Sequence, residues 1–244
     1  MNISFEGKRI LVTGAGQGIG RELALHLSKH GAQVIALSKT EKNLESLRAE
    51  DPRIQTVCVD LGYWNETRNE IEKILPIDLL VNNAAVACLN PFLDATQQDF
   101  DLTFSINVKS ILNVSQVVAK NMIERKVGGS IVNVSSQASI AALKDHAVYC
   151  ASKGAVDMLS KTMALELGPY NIRVNTVNPT VIMTEMGKLG WSDPKKAQSM
   201  ISKIPLGRLG EVSEVIDAIV FLLSDRSSMI NGVCLPVDGG FLAT

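Results

Sequence analysis

Short runs of consecutive apolar residues alternate with longer segments of helical periodicity along the whole chain. Uninterrupted apolar runs are typical of strands that are buried on both faces, and the longer periodic segments predict helices. The predicted strands are residues 9–13, 33–37, 54–59, 77–81, 130–134, 172–177 and 233–237. The predicted helices are residues 19–30, 41–49, 63–74, 96–126, 147–167 and 211–223. This alternation predicts an α/β fold.

Parallel strands that alternate with helices need crossover connections, and these are right-handed. We therefore predict a doubly wound parallel sheet of the Rossmann type. The 244 residues, 46% of them hydrophobic, are enough for one large core and not clearly enough for two. No linker or internal repeat divides the chain, so we predict a single domain over residues 1–244. Residues 180–205 are less regular, and Gly187, Gly190 and Pro194 predict a lid there that closes on a cofactor.

The charge pattern argues against a nucleic-acid partner. The chain has 24 basic and 25 acidic residues, and no basic block exceeds a pair such as Lys195-Lys196. The N-terminus lacks the layout of a signal peptide, and no apolar run reaches the length of a transmembrane segment. The four cysteines are scattered without the spacing of a zinc site or a disulfide framework. We therefore expect a cytoplasmic protein.

A glycine-rich turn joins the first predicted strand to the first predicted helix. Its glycines have the spacing G-x-x-x-G-x-G, and in this fold the turn is where a pyrophosphate meets the free N–H groups of a helix N-terminus. Glycines allow close approach because they lack a Cβ atom. A merely tight connection is the alternative. The predicted cofactor contacts here are Gly14, Gly16, Gln17, Gly18, Ile19 and Gly20.

The end of the second strand predicts NADP(H) as the cofactor. Enzymes that prefer NAD usually place a carboxylate there, whereas this chain has Ser38, Lys39 and Thr40, and its first carboxylate is Glu41. A cation and two hydroxyls suit a 2′-phosphate, although Lys39 also fits an ordinary exposed lysine.

Two further strand ends point toward the same nucleotide. Asp60, followed by Leu61, ends the third strand and either accepts a hydrogen bond from adenine or caps the next helix. After the fourth strand, we expect Asn82 to be structural. The backbone of Asn83, Ala84 and Ala85 is expected to line the cofactor.

Ser136, Tyr149 and Lys153 are the candidate catalytic residues. Tyr149 and Lys153 lie one turn apart on a predicted helix, so they share a face. A nearby cation favours the phenolate and is expected to lower the phenol's pKa. Ser136 follows an apolar strand, where its hydroxyl can reach a carbonyl oxygen in a cleft. An ordinary surface pair on a helix is the alternative for Tyr149 and Lys153.

Together these motifs resemble the short-chain dehydrogenase/reductase family over essentially the whole chain. The matching elements are Thr13–Gly20 (TGxxxGxG), Asp60, Asn82–Ala85 (NNAA), Asn107, Ser136, Tyr149-x-x-x-Lys153 and Asn178-Pro179-x-x-x-x-Thr184. Two positions differ from the relatives, which carry a basic residue in place of Gln17 and arginine in place of Lys39.

The resemblance implies a role for each matching residue. Tyr149 is expected to be the general acid that protonates a carbonyl oxygen, Lys153 to lower its pKa and bind the nicotinamide ribose, and Ser136 to orient the carbonyl. Asn107 is expected to hold a water that relays protons. Three residues are expected to seat the nicotinamide carboxamide, namely Pro179, Ile182 and Thr184.

Within the family, the segments around these residues look most like the carbonyl reductases. This resemblance implies NADPH-dependent reduction of small α-dicarbonyls and of ketoses such as L-xylulose. Gln137, His146 and Trp191 are then candidate substrate contacts beside Ser136 and Tyr149, although His146 also fits a plain loop histidine and Trp191 a subunit contact. A reductase of 3-ketoacyl groups or steroids, and an NADP-binding scaffold without turnover, are the alternatives.

The resemblance also implies a homotetramer. Ala151, Ala155 and the 96–126 helix offer small and apolar faces that paired subunits would bury, and residues 237–242 would join a second interface. No metal site is predicted. His26 and His30 have a ligand-like spacing, but Leu27 stands where a zinc protease needs Glu, so a solvated helix face is the better interpretation.

Overall fold

A seven-stranded parallel sheet organises the residues described by the computed structural model, 3–184 and 193–243. The strand order is β3-β2-β1-β4-β5-β6-β7, and every neighbouring pair is parallel. The strands are β1 (Arg9–Thr13), β2 (Gln33–Ser38), β3 (Gln55–Cys58), β4 (Leu79–Asn82), β5 (Gly129–Val134), β6 (Ile172–Pro179) and β7 (Cys234–Val237). The predicted doubly wound sheet is confirmed. Its order reverses between β1 and β4, the position at which such folds bind ligands.

Helices cover both faces of this sheet. They are α1 (Gly18–Lys29), α2 (Glu41–Glu50), α3 (Trp64–Lys73), α4 (Gln97–Phe104), α5 (Ser110–Arg125), α6 (Ala147–Leu167), α7 (Pro194–Ile201) and α8 (Val212–Leu223). On β1, Ile10 and Val12 enter a core cluster with α1 and α8, whereas Leu11 enters a second cluster with α3 and α5. Burial on both faces explains why the strands are apolar throughout.

The predicted helical stretch over residues 96–126 is confirmed, and it contains a π turn at its centre that the sequence pattern does not show. A π turn over Ser105–Lys109 separates α4 from α5, and within it the N–H of Ser110 bonds to the carbonyl of Ser105. Such turns insert one extra residue and are frequent at functional sites. Apolar periodicity does not register a single added residue, so the sequence pattern continued through it.

The segment 180–205 is more regular than predicted at its C-terminal end, because α7 lies within it. Asp193 caps this helix by accepting a hydrogen bond from the N–H of Lys195 at 2.9 Å, and Pro194 occupies the first turn. An Asp-Pro start is a recognised helix signal. Gly187, Gly190 and Trp191 lie outside the described residues, so the lid remains a prediction.

Candidate active site

A cleft of about 360 Å³ lies at the carboxyl ends of the central strands. Most of the predicted cofactor residues line it: Gly14, Gly16, Gln17, Gly18, Ile19, Ser38, Lys39, Thr40, Asp60, Leu61, Asn83, Ala84, Ala85 and Thr184. The lining also includes residues that the sequence argument missed, namely Leu37, Asn43, Val59, Val86 and Ile106. These side chains belong to no motif, because strand ends and loops bring them together only in the fold.

A hydrogen-bonded clamp holds the glycine-rich turn against the end of β4. The Thr13 hydroxyl accepts the N–H groups of Asn83 and Ala84 at 3.1 and 3.2 Å. The Asn83 amide donates to the carbonyls of Thr13 and Gly14 at 3.1 and 3.2 Å. The Asn83 side chain therefore supports the turn, and its backbone remains to line the cleft.

Two glycines are required by this close packing. Gly14 has φ +66°, and a Cβ atom on it would lie 2.7 Å from the Cα of Ala84. A Cβ atom on Gly20 would collide with the Asn83 amide and lie 2.5 Å from the carbonyl oxygen of Gly14. Gly20 does not line the cleft, so the structure gives it a packing role in the clamp.

The N-terminus of α1 opens toward the same turn without a capping side chain. Gln17 occupies the cap position and makes no side-chain hydrogen bond there, and the first turn contains no acidic residue. Free N–H groups and the helix dipole favour an anionic group at such an end. The residues present therefore fit the pyrophosphate of a dinucleotide.

The end of β2 offers a cation next to two hydroxyl groups. Lys39 is exposed, and among the described residues no carboxylate forms an ion pair with it. The nearby Glu41 carboxylate is paired with Arg48 at 2.8 Å. Arg21 is held by Glu50, also at 2.8 Å, which directs it away from this position. Lys39 is therefore the cation available to a 2′-phosphate here.

Asp60 does not cap the following helix. Its Oδ1 atom accepts the N–H of Gly62 at 2.9 Å, and the cap position of α3 is occupied by Tyr63. The capping alternative is therefore not supported, and the carboxylate lies on the cleft wall.

The three central catalytic candidates converge at one point. Lys153 is only 2% exposed, and its Nζ donates to the carbonyl of Val134 at 2.9 Å and lies 5.7 Å from the centre of the Tyr149 ring. The Ser136 hydroxyl accepts the N–H of Ala138 at 3.1 Å and is near enough to Tyr149 to lower the pKa of its phenol. Strand β5 and helix α6 thus place a hydroxyl, a phenol and an amine side by side.

The protonation of this group differs from the sequence expectation. Burial raises the pKa of the Tyr149 phenol, and the nearby Ser136 hydroxyl only partly opposes this effect. Burial also lowers the pKa of Lys153 to about 8, with Asp157 opposing it. The expected lowering of the phenol's pKa by Lys153 is therefore wrong for this structure, because desolvation penalises the phenolate. At neutral pH the phenol carries its proton.

Asn107 lies in the π turn and is fully buried. Its Oδ1 atom accepts the N–H of Val86 at 2.8 Å, and its Nδ2 donates to the carbonyl of Val86 at 2.9 Å and to the Ser152 hydroxyl at 3.0 Å. This amide joins the cleft wall to α6. The predicted proton-relay water remains a prediction.

Behind the catalytic group lies a buried network that the sequence argument missed. The Nδ2 atom of Asn178 donates to the Asp157 carboxylate at 2.9 and 3.2 Å, to the Ser139 hydroxyl at 2.9 Å and to the Ser136 carbonyl at 3.2 Å. One signal was available in the sequence, since Asp157 follows Lys153 by one helical turn.

Two buried polar side chains beyond the ends of β5 and β6 have no hydrogen-bond partner among residues 3–184 and 193–243. Gln137 is 1% exposed, and neither atom of its amide makes a hydrogen bond to a described residue. The buried hydroxyl of Thr180, just beyond the end of β6, is also unpaired. Gln137 is a predicted substrate contact, whereas no sequence pattern singles out Thr180. Buried polar groups without partners are uncommon and are often satisfied by a bound molecule or water.

The remaining predicted substrate and nicotinamide contacts lie at different distances from the catalytic residues and the cleft. His146 precedes α6, and its ring meets Tyr149 edge-on at 6.2 Å between centroids. Pro179 ends β6 and does not line the cleft. The Ile182 side chain is buried in the core cluster that includes α1 and α8, so a cofactor contact from this side chain is not supported. Trp191 lies outside the described residues.

The described residues contain neither a metal-binding cluster nor a membrane-spanning helix. In 3–184 and 193–243, no group of three or more His, Cys, Asp and Glu side chains is arranged to hold a metal ion. Over the same ranges, every helix is too short or too polar to span a membrane.

The chain is similar to known enzymes over its full length. The family model described as enoyl-(acyl carrier protein) reductase matches residues 14–242. An L-xylulose reductase from Mesocricetus auratus is 57% identical over 100% of both chains, and the carbonyl reductase [NADPH] 2 of Sus scrofa is 50% identical over 100% of both. A gluconate 5-dehydrogenase from Burkholderia cenocepacia, solved with NADP and tartrate, superposes with a TM-score of 0.94 at 32% identity, covering 100% of this chain and 98% of that one.

Proposed function

Because this chain belongs to the short-chain dehydrogenase/reductase family, we propose that it is an NADPH-dependent reductase of small carbonyl compounds, namely α-dicarbonyls and ketoses such as L-xylulose. The observation that carries the proposal is the convergence of the Tyr149 phenol, the Ser136 hydroxyl and the buried Lys153 amine. Full-length similarity to an L-xylulose reductase and to an NADPH carbonyl reductase supports the substrate class and the cofactor.

The cleft residues fit a dinucleotide along its length. The glycine-rich turn and the open end of α1 would hold the pyrophosphate, and Ser38, Lys39 and Thr40 would hold the 2′-phosphate. Asp60 would meet the adenine. When bound, the nicotinamide supplies a hydride to the carbonyl carbon.

The chain's own residues supply the proton and orient the substrate. Tyr149 donates its hydroxyl proton to the carbonyl oxygen, which suits a phenol that burial keeps protonated. Ser136 donates a hydrogen bond that fixes the oxygen in place. The ammonium group of Lys153 stabilises the phenolate that remains, because opposite charges attract strongly in a buried site.

The unpaired polar groups favour a hydroxylated substrate over a 3-ketoacyl or steroid ketone. A buried polar group without a partner costs about 1–3 kcal/mol. A hydroxyl next to the reacting carbonyl would satisfy Gln137 or Thr180, whereas an acyl chain or steroid ring would leave both unpaired. His146 would contribute at the edge of the pocket.

The chain's surface supports a homotetramer in the cytoplasm. The α6 helix exposes Met158 and Leu165, which are 62% and 79% exposed, and a second subunit would cover these apolar side chains. All four cysteines are free thiols, which suits a reducing compartment.

The test is an activity assay with purified protein. We expect oxidation of NADPH, followed at the nicotinamide absorbance, with both L-xylulose and diacetyl, and much weaker oxidation of NADH. Turnover only with a 3-ketoacyl thioester or a steroid ketone would favour the alternative reductases. NADPH binding without turnover of any ketone would favour the scaffold.

A further inference from the structure

Asp157 is a buried carboxylate to which the proposed reaction gives no role. It lies on α6 one turn beyond Lys153 and is 7% exposed. Lys153 is itself buried, and within residues 3–184 and 193–243 the one acceptor of its ammonium group is the neutral backbone carbonyl of Val134. A buried ammonium group needs a compensating charge, and residues one turn apart on a helix face lie close together. Asp157 forms no direct ion pair with Lys153 in the described residues, and it supplies that charge through space from one helical turn away.

The carboxylate is also fixed to the turn that carries Ser136. Asn178 donates to Asp157 at 2.9 Å, and the same amide nitrogen donates to the Ser136 carbonyl at 3.2 Å. The Asn178 oxygen accepts the Thr176 hydroxyl at 2.6 Å, which sets the orientation of the amide. The network therefore links the charge beside Lys153 to the backbone of Ser136.

We propose that Asp157 is a positioning residue, which keeps Lys153 in its ammonium form and holds the Ser136 turn in place through Asn178. The inference rests on the proposed function, since it concerns the same catalytic group. Asp157 lies behind that group and acts on the reaction only through Lys153 and the Ser136 turn.

The electrostatics of the surrounding groups agree with this geometry. Burial lowers the pKa of Lys153 to about 8, and Asp157 opposes that lowering. From β7, the Cys234 thiol lies near Asp157, and burial raises the pKa of that thiol, so it stays neutral near pH 7. Lys161 lies one turn beyond Asp157 and is exposed. Tyr149, on the other side of Lys153, is kept neutral by its raised pKa.

The first test measures the pKa of Lys153 directly. Carbon-13 NMR of labelled lysine, with the signal assigned through Lys153→Arg, reports this pKa in the protein without substrate. We expect Asp157→Asn to lower it by about one unit or more, since a nearby opposite charge typically shifts a pKa by that amount. Asp157→Ser serves if the asparagine variant does not fold. An unchanged pKa of Lys153 in a folded variant overturns the proposal.

The second test follows the pH dependence of turnover with NADPH and diacetyl. Because protonated Lys153 is required, the rate of the wild type should fall as the pH rises through about 8. Asp157→Asn should move this fall toward neutral pH by about one unit, and Asp157→Glu should restore it. A rate loss in Asp157→Asn with the wild-type pH profile would mean a merely structural role and overturn the proposal.

Two controls separate charge from packing. Asn178→Ala removes the hydrogen bonds and keeps the carboxylate, so it should lower the rate without moving the profile. Cys234→Ser should leave both nearly unchanged. A wild-type protein that turns over no ketone would refute the proposed function, whereas the NMR measurement would still decide the role of Asp157.

Discussion

Replacing Gln137 by methionine should make the protein more stable and a poorer ketose reductase. Methionine has nearly the same length and volume as glutamine but carries no amide. The amide of Gln137 is buried, and in the part of the chain that the structure describes neither its oxygen nor its nitrogen has a hydrogen-bond partner. The substitution therefore removes an uncompensated polar group from the free protein and a hydrogen-bonding group from the substrate site.

The expected gain in stability follows from the desolvation cost. Leaving one buried polar group unpaired costs about 1–3 kcal/mol, so the free energy of unfolding should rise by that amount. For a chain of this size, each kcal/mol raises the Tm by about 2–4 °C. Thermal denaturation followed by circular dichroism, without substrate, measures the shift. Gln55→Met, at an exposed position on β3, is the matched control and should leave the Tm nearly unchanged.

The expected kinetic loss depends on the substrate. Losing one hydrogen bond to a ketose hydroxyl costs about 0.5–1.5 kcal/mol, which corresponds to a decrease of about 2- to 13-fold in kcat/KM for L-xylulose. Diacetyl carries no hydroxyl group, so its kcat/KM should change little. A lowered Tm together with an unchanged ratio of kcat/KM for L-xylulose to kcat/KM for diacetyl would refute the reasoning. The amide would then stabilise the protein and would not bind the substrate.

Three further substitutions test other parts of the site. Tyr149→Phe should lower kcat by about 10²- to 10⁴-fold, the usual contribution of a general acid, while NADPH affinity measured by fluorescence stays nearly the same; lost binding would instead mean a structural role. Lys39→Asp should lower the ratio of kcat/KM for NADPH to kcat/KM for NADH by at least about tenfold. If the exposed control Lys120→Asp has the same ratio, Lys39 does not determine the cofactor preference. Gly20→Ala should lower the Tm and weaken NADPH binding, because overpacking costs about 1–3 kcal/mol. Gly168→Ala is the control and should do neither, since the nearest atom to its Cβ would be 3.4 Å away. Equal effects of the two substitutions would contradict the packing role of Gly20 in the clamp.

The sheet could be predicted from the sequence because its strands are buried on both faces. Ile10, Leu11 and Val12 all lie in the core, on alternating sides of β1. The apolar run therefore follows directly from burial on both faces of the strand. The glycine spacing likewise reflects contacts at Gly14 and Gly20 that exclude a side chain. In these places one local pattern follows from one physical constraint.

Other features depend on distances between remote segments. Asn178 joins Asp157 to Ser136 across β6, α6 and β5, and no spacing along the chain records that contact. The predicted direction of the Tyr149 pKa shift is wrong for the same reason. The spacing between Tyr149 and Lys153 can be read from the sequence, but the burial that raises the pKa of the phenol cannot.

The number of residues between α4 and α5 affects how α5 packs on the sheet, because the π turn lies between them. Each residue of a regular helix advances the side chains by about 100° around the axis. The extra residue at Ser105–Lys109 therefore sets the rotation at which Val114 and Val118 of α5 meet the strands, while Asn107 points into the cleft wall. Deleting a single residue between α4 and α5 would remove the π turn and displace Asn107 from the position in which it bonds to Val86. This stretch of the protein is accordingly more tolerant of exchanged side chains than of a gained or lost residue.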